Sequence, residues 1–249
     1  MTTASPGVAV SVITAVAGTA DPGHVAEAYA SLTSQADDIT WGWVVQLDTA
    51  TGGPELPKAL TGDPRVSVGR NQSAGPALAR TTALARARGD VVVVLDVDDR
   101  LTEHALVDIV TVLEDVPDVG WTTAPVVDLL PDGSTSAWPH DPPAGRLSAG
   151  TVTTQWSATA QLAVHPATLA CRRHLLIAAG GWMALPVSED VALLVALDAM
   201  SDGWFHHRPG LLRRTHPGQM TRLPHHESSK ESVRGLVLER AAALAALRL

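Results

Sequence analysis

The sequence predicts an α/β fold, with a mainly parallel central sheet flanked by helices, from three observations. Short β-branched runs alternate with helical patterns of period 3.6 through the first two thirds of the 249 residues. One of these runs, Val91–Leu95, is five uninterrupted apolar residues, the pattern of a strand buried on both faces. Helical segments fill the spacing between successive runs, and that arrangement makes parallel sheet.

Each element has its own reason. Val8–Val16 reads as the first strand, and Asp21-Pro22 opens a helix with proline in its first turn. Val25, Ala28, Tyr29 and Leu32 then fall at i, i+3, i+4 and i+7, one face of that helix. Trp43–Leu47 is a second strand, ended by the turn-rich 49–54, and Val66–Val68 a short third. Gly75-Pro76 opens an Ala/Leu/Arg helix that Gly89 is expected to close. After Val91–Leu95, Thr102 is expected to cap a helix whose Leu106, Ile109, Val110 and Leu113 share a face. Residues 125–165 read mostly as loop and short strand, with a turn at Pro131–Gly133 and a proline-rich stretch at 139–145. Ser188 is expected to cap a helix carrying Leu193, Ala196, Leu197 and Met200, and a last helix is expected from about Glu231 to Leu249. With neither repeat nor long linker, the chain divides into a main domain, 1–225, and a C-terminal helical extension, 226–249.

Composition excludes several classes. The net charge of −8, with only two lysines, argues against a nucleic-acid binder, because phosphate backbones reward clustered basic residues. A single cysteine, Cys171, excludes an internal disulfide framework and fits a reducing compartment. The opening residues have neither the basic start nor the apolar core of a secretory signal, so a cytoplasmic location is expected. The longest nearly uncharged apolar stretch, Leu175–Val187, is too short for a transmembrane span. There is no GxGxxG after the first strand and no GxxxxGK[ST], which counts against a dinucleotide oxidoreductase or a P-loop NTPase.

The chemistry-bearing stretch is Asp96-Val97-Asp98-Asp99, directly after the strand that should be most buried. Ligands of parallel sheets lie beyond the carboxyl ends of the strands. If strand geometry persists, Asp96 and Asp98 point to the same side. Adjacent carboxylates raise one another's pKa, and a divalent cation relieves the repulsion; oxygen-only ligands select a hard ion, Mg²⁺ or Mn²⁺.

A longer pattern surrounds that stretch. Asn71–Gly75, Ala79-Arg80, Ala83–Asp90 and Val91–Asp99 together resemble the central block of family 2 glycosyltransferases of the GT-A fold, including the D-x-D motif. Ser31–Gln35 is similar to the S-[VIL]-x-x-Q that ends that family's first helix, and Trp41–Asp48 with Thr51 to its W-E-x-I-[IV]-V-D-D-G-S-T segment. Arg172-Arg173 with Gly180-Gly181-Trp182, then Ser188-Glu189-Asp190, then His216–Thr221 resemble further family motifs in the right order, over about residues 8–222. The chain departs from the pattern at Ala15–Gly18, Leu47 and Thr81, and it lacks the Q-x-x-R-W motif of processive synthases.

The resemblance implies an inverting, metal-dependent transfer of a single sugar, of the hexosyltransferase type, from a nucleotide-diphosphate donor to a hydroxyl acceptor, small molecule or glycan. UDP is the carrier it implies. Asp48, Arg80, Asp96 and Val97 would then bind the nucleotide-sugar, and Asp98 with His216 would hold Mn²⁺ or Mg²⁺. Asp190, with Glu189, would take the acceptor proton. The same pair in the first turn of a helix also suits its dipole. Trp156 and Trp182 are candidates to stack on the acceptor, with core packing as the plainer role, and Arg213 and Arg214 are candidates to face phosphate. Two other readings stay open: a non-catalytic nucleotide-sugar-binding homologue or partner subunit, and a sugar-phosphate nucleotidyltransferase. The last helix is expected to pack on the domain or to form a homodimer contact.

Overall fold

The structure, a computed structural model, describes residues 9–36, 38–72, 74–215 and 224–247, the last stretch with side chains from 229 onward. In chain order the elements are β1 (Val10–Ala17), α1 (Pro22–Thr33), β2 (Trp41–Asp48), α2 (Lys58–Thr61), β3 (Val66–Asn71), α3 (Pro76–Leu84), β4 (Val91–Val94), β5 (Arg100–Leu101) and α4 (Ala105–Asp115). There follow β6 (Val119–Thr123), β7 (Val126–Leu129), β8 (Thr135–Ala137), β9 (Gly145–Leu147), α5 (Thr151–Thr159), a 3-10 turn at Pro166–Thr168 and β10 (Ala170–Arg172). The chain ends with α6 (Arg173–Ala178), α7 (Glu189–Met200), β11 (Asp202–Phe205), β12 (Leu211–Arg214) and α8 (Pro224–Ala246).

Among the described residues the main sheet has eight strands, in the order β3-β2-β1-β4-β10-β6-β11-β9. β1 to β4, β6 and β11 run in one direction; only β10 and β9 run against them. A second sheet, β5-β12-β7-β8, stands apart from it. Side-chain alternation decides what each strand buries. Val91, Val93 and Leu95 enter the core shared with α1 and α4, whereas Val92 and Val94 enter the core on the opposite face. Val25, Ala28 and Leu32 of α1 and Leu106, Ile109, Val110 and Leu113 of α4 fill the first core, as their spacing requires.

Two buried polar lashes hold these layers in register. The Trp43 indole donates to Thr14 Oγ1 (2.8 Å), which donates in turn to the carbonyl of Leu95 (2.7 Å), tying β2, β1 and the end of β4. Gln35, just past α1, donates to the carbonyl of Thr102 (2.8 Å) and accepts from the Leu106 amide (3.0 Å), which seats α4 on α1. This is the structural work of the S-x-x-Q segment.

Several local expectations are corrected. α3 ends at Leu84, so Gly89 does not cap it. Gly89 is demanded by close approach: a Cβ there would lie 2.6 Å from the Ser11 amide nitrogen, while Ser11 Oγ accepts from the Gly89 amide (2.8 Å). α4 starts at Ala105 after His104, and Thr102 contributes its carbonyl to the turn before it rather than a side-chain cap. Residues 125–165 hold more than loop, since α5 lies within them. α8 begins at Pro224, earlier than its apolar stripe, and Val237 and Ala241 pack on α7. Among the described residues, no helix is long and apolar enough to cross a membrane.

Candidate active site

The carboxyl ends of the parallel strands β1, β2 and β4 open on one edge, where such sheets bind ligands. Asp48 is the last residue of β2. Its carboxylate accepts from Asn71 Nδ2 (2.7 Å) and from the backbone amides of Ala74 (3.0 Å) and Gly75 (2.8 Å). Gly75 adopts φ 93°, which a side chain would resist, and α3 starts directly after it. Behind Asp48 the chain continues inward. Asn71 Oδ1 accepts from Gln46 Nε2 (2.8 Å), and Gln46 Oε1 accepts from Arg86 Nη1 (2.8 Å). The sequence reading missed Gln46 and Arg86; a fully buried glutamine in the middle of an apolar strand was the available signal.

β4 ends at Val94, and residues 96–99 form a turn closed by the Asp99 amide on the carbonyl of Asp96 (3.1 Å). The expected alternation of Asp96 and Asp98 along a strand therefore does not apply. Val97, expected at the nucleotide, packs its side chain against the first core. Asp99 is buried and accepts from the Arg214 amide (2.9 Å). Burial, then the charges of Asp96 and Asp98, hold its carboxyl well above the usual carboxylate range. Three carboxyl groups are thus crowded into a four-residue turn. Among the described residues no three His, Cys, Asp or Glu side chains are arranged to enclose a metal. A hard cation held by one carboxylate and the phosphates of its substrate needs no such cage, so Asp98 and this turn fit that role.

Arg80 joins the turn to a distant segment. It comes from α3, is 6% exposed, and donates from Nη2 to Asp96 (2.6 Å) and from Nη1 to Glu189 (2.8 Å). Burial disfavours its charge, but Asp96, Glu189 and Asp190 more than offset that and hold its pKa above normal. Two carboxylates thus take up this guanidinium, which was expected at the nucleotide-sugar. Glu189 and Asp190 open α7 after Ser188, whose φ of 62° is left-handed and whose side chain makes no capping bond. A non-glycine residue in that conformation stores strain of roughly 1 kcal/mol. Asp190 is half-buried, its Oδ1 accepts from the Val191 amide (2.7 Å), and burial followed by the charge of Glu189 pushes its carboxyl up to about 6.

A second cluster adjoins the turn. Arg213 grips Asp128 through both nitrogens of its fork (2.7 and 2.8 Å), and its Nη1 meets His165 Nε2 at 2.6 Å. Arg214 is bound to the Asp98 carbonyl (3.2 Å) and to Glu27. Both arginines, expected near phosphate, are therefore paired with carboxylates. The His165 ring lies perpendicular to Trp138, centroids 5.0 Å apart, and His140 does the same from 5.5 Å. None of Trp138, Asp141 and His165 was singled out from the sequence.

Trp156 and Trp182 do not line an open site. Trp156 is 9% exposed among Ala192, Val195 and Val237, and Trp182 is 4% exposed in the core against α7. Apolar neighbours on both sides claim these rings for packing. His216, expected at the metal, lies outside the described residues, as do the side chains of His225 and His226.

A mixed sheet with acidic turn and helix start gathered at the strand ends is the architecture of GT-A-type nucleotide-diphospho-sugar transferases. A family model described as glycosyl transferase family 2 matches residues 25–154, just over half of the chain. The chain belongs to that family. No curated protein matches it. Among solved structures it is similar to S. aureus TarS 1–349 in complex with UDP (TM-score 0.65, 17% identity, 84% of this chain and 61% of that one). The complex of the same fragment with UDP-GlcNAc gives TM-score 0.65 and 17% identity over 85% of this chain and 60% of that one. At that identity the likeness shows the fold. The chain spans about three fifths of the length of those TarS structures.

Proposed function

We propose that the protein is an inverting glycosyltransferase that moves one sugar from a nucleotide-diphosphate donor, with UDP as carrier, to a hydroxyl acceptor. The observation that carries this reading is the Arg80 bridge. It draws the Asp96 turn and the Glu189-Asp190 helix start together at the ends of the parallel strands. The UDP and UDP-GlcNAc complexes of TarS support the donor class.

In this reading Asp48 and Asp96 contact the nucleoside, and Asp98 would hold Mg²⁺ or Mn²⁺. His216 is a second candidate ligand. The metal, when bound, neutralises charge on the leaving diphosphate as a Lewis acid. The acceptor oxygen bonds to the anomeric carbon as the bond from that carbon to the diphosphate oxygen breaks. Asp190 takes the acceptor proton, a role favoured by a carboxyl raised towards neutrality. Glu189 acts through Arg80, neutralised so that its charge does not prevent Asp190 from ionising.

A thermal-shift screen of UDP, GDP, dTDP and CDP, with and without Mn²⁺, tests the donor site on wild type and Asp98→Ala. Ligand binding to the native state raises its apparent stability by mass action. The expected result is a metal-dependent shift with UDP that Asp98→Ala abolishes. No shift with any nucleotide at millimolar concentration overturns the reading.

A further inference from the structure

His165 is placed by the sheet register. β10 runs against β4, with Ala170 opposite Val93 and the Val94 amide donating to the carbonyl of Leu169 (3.1 Å). Residues before 169 therefore run past the carboxyl end of β4, alongside the Asp96–Asp99 turn, and the charge of Asp96 acts on the His165 ring. Trp138, on the segment between β8 and β9, leans on that ring.

This corner is not hydrogen-bonded to completion. Trp138 Nε1, a donor, and Asp141 Oδ1, an acceptor, are both buried with no hydrogen-bond partner among the described residues. The Ala167 amide donates to His165 Nδ1 (3.2 Å) while Arg213 Nη1, another donor, meets Nε2. A neutral imidazole accepts at only one nitrogen, so one of those contacts goes unmet. Unsatisfied buried polar atoms are costly and rare in native structures, and they point to a missing partner. One missing donor and one missing acceptor, three residues apart in sequence and next to aromatic surface, match a group that both accepts and donates. A hydroxyl does both.

Charge narrows the class. Arg80, Arg213 and Arg214, the guanidiniums around this corner, each have carboxylate partners, and Asp98, Asp141 and Asp190 add further acidic groups. An anionic acceptor would meet repulsion here.

We propose that Trp138, Asp141 and His165 form the acceptor subsite, and that it takes an uncharged carbohydrate rather than a phosphate-bearing one. The inference rests on the glycosyltransferase reading and deepens it. A sugar hydroxyl accepts from Trp138 Nε1 and donates to Asp141 Oδ1, while its C–H face covers the indole. Admission of the ligand requires the 138–144 segment, which has neither helix nor strand and carries Trp138 and Asp141, to part from the His165 ring.

The test is saturation-transfer NMR on the whole chain with UDP and Mg²⁺ present. The probes are the methyl glycosides of glucose, galactose, mannose and N-acetylglucosamine, set against glycerol 3-phosphate and ribitol 5-phosphate. UDP affinity is measured on the same samples by calorimetry. The expected result is transfer to at least one neutral glycoside and to neither phosphate, weakened roughly tenfold in affinity by Trp138→Ala with UDP affinity unchanged. Asp141→Asn, which keeps the shape of the side chain, is expected to weaken the same glycoside, so the outcome does not depend on Trp138→Ala folding. Transfer to the phosphates in preference, to no glycoside, or equally in wild type and both variants overturns the subsite. Failure of the wild type to bind UDP overturns the glycosyltransferase reading instead.

Discussion

The proposed nucleotide side and the proposed acceptor side of the site differ in how completely their polar atoms are satisfied. Around Asp48 three donors meet one carboxylate, and Asn71, Gln46 and Arg86 continue the chain into the sheet. Around Trp138 a donor and an acceptor lack partners among the described residues, and His165 is approached by two donors. A closed network makes a rigid scaffold that needs no ligand to hold its shape. An open one holds its cost in reserve until a ligand arrives. Arg80 stands between them, joining the carboxylates of both motifs.

The largest expected effect falls on the group that links the two sides chemically. Asp190→Asn is expected to lower turnover by about a thousandfold while nucleotide binding is kept. In the wild type, turnover is expected to fall as pH drops through about 6, where the Asp190 carboxyl takes up its proton. A carboxyl whose folded pKa lies above its unfolded value supports the fold at low pH, and that support is lost as pH rises through about 6. Asp190→Asn is accordingly expected to be more stable at pH 7, by on the order of 1 kcal/mol, and so to unfold at a higher temperature. A pH–rate profile and a melting curve check both signs; unchanged turnover would remove Asp190 from the chemistry.

Arg80→Met comes next. It leaves Glu189 buried beside Asp190 with no cation, and a loss of about 3 kcal/mol in urea unfolding is expected. A loss below about 1 kcal/mol would mean that the bridge is not what holds the two motifs together.

Gly89→Ala tests the scaffold alone, far from any ligand. Its Cβ has only 2.6 Å to the Ser11 amide, and backbone gives way reluctantly, so about 2 kcal/mol of stability is expected to go, with donor affinity unchanged. Asp48→Asn should be mildest. Asn keeps one carbonyl oxygen but turns an N–H toward an amide that now needs an acceptor, for a loss of about 1 kcal/mol. A rise in donor KM is expected with it. A larger loss than for Gly89→Ala would mean the Asp48 network, rather than strand packing, limits stability on this side.

The elements legible in sequence share one property: their neighbours are close in the chain. Val91–Leu95 announced a strand buried on both faces, and α1 and α4 announced their buried faces, because side-chain period follows from local geometry. The family motifs likewise drew attention to the acidic turn and to the Glu189-Asp190 pair. Where a residue's role depends on a distant partner, reading by type failed. Arg80, Arg213 and Arg214 look alike in sequence as phosphate binders, yet each is neutralised by a carboxylate from another element. For Trp156 and Trp182 the sequence left acceptor stacking and core packing both open, and burial favours packing, the plainer role. Trp138 was passed over because nothing local shows that β10, inserted against its neighbours, brings His165 beside it.

The sequence by itself determined the alternation of strands and helices, the family, and the acidic residues on which the site is built. Those follow from periodicity and from residue type at short spacing. Only the tertiary structure decided which charges cancel, which tryptophans pack, and where polar atoms stay unpaired. Charge pairing and burial act through space over separations such as the 109 residues between Arg80 and Glu189, and no local pattern records them.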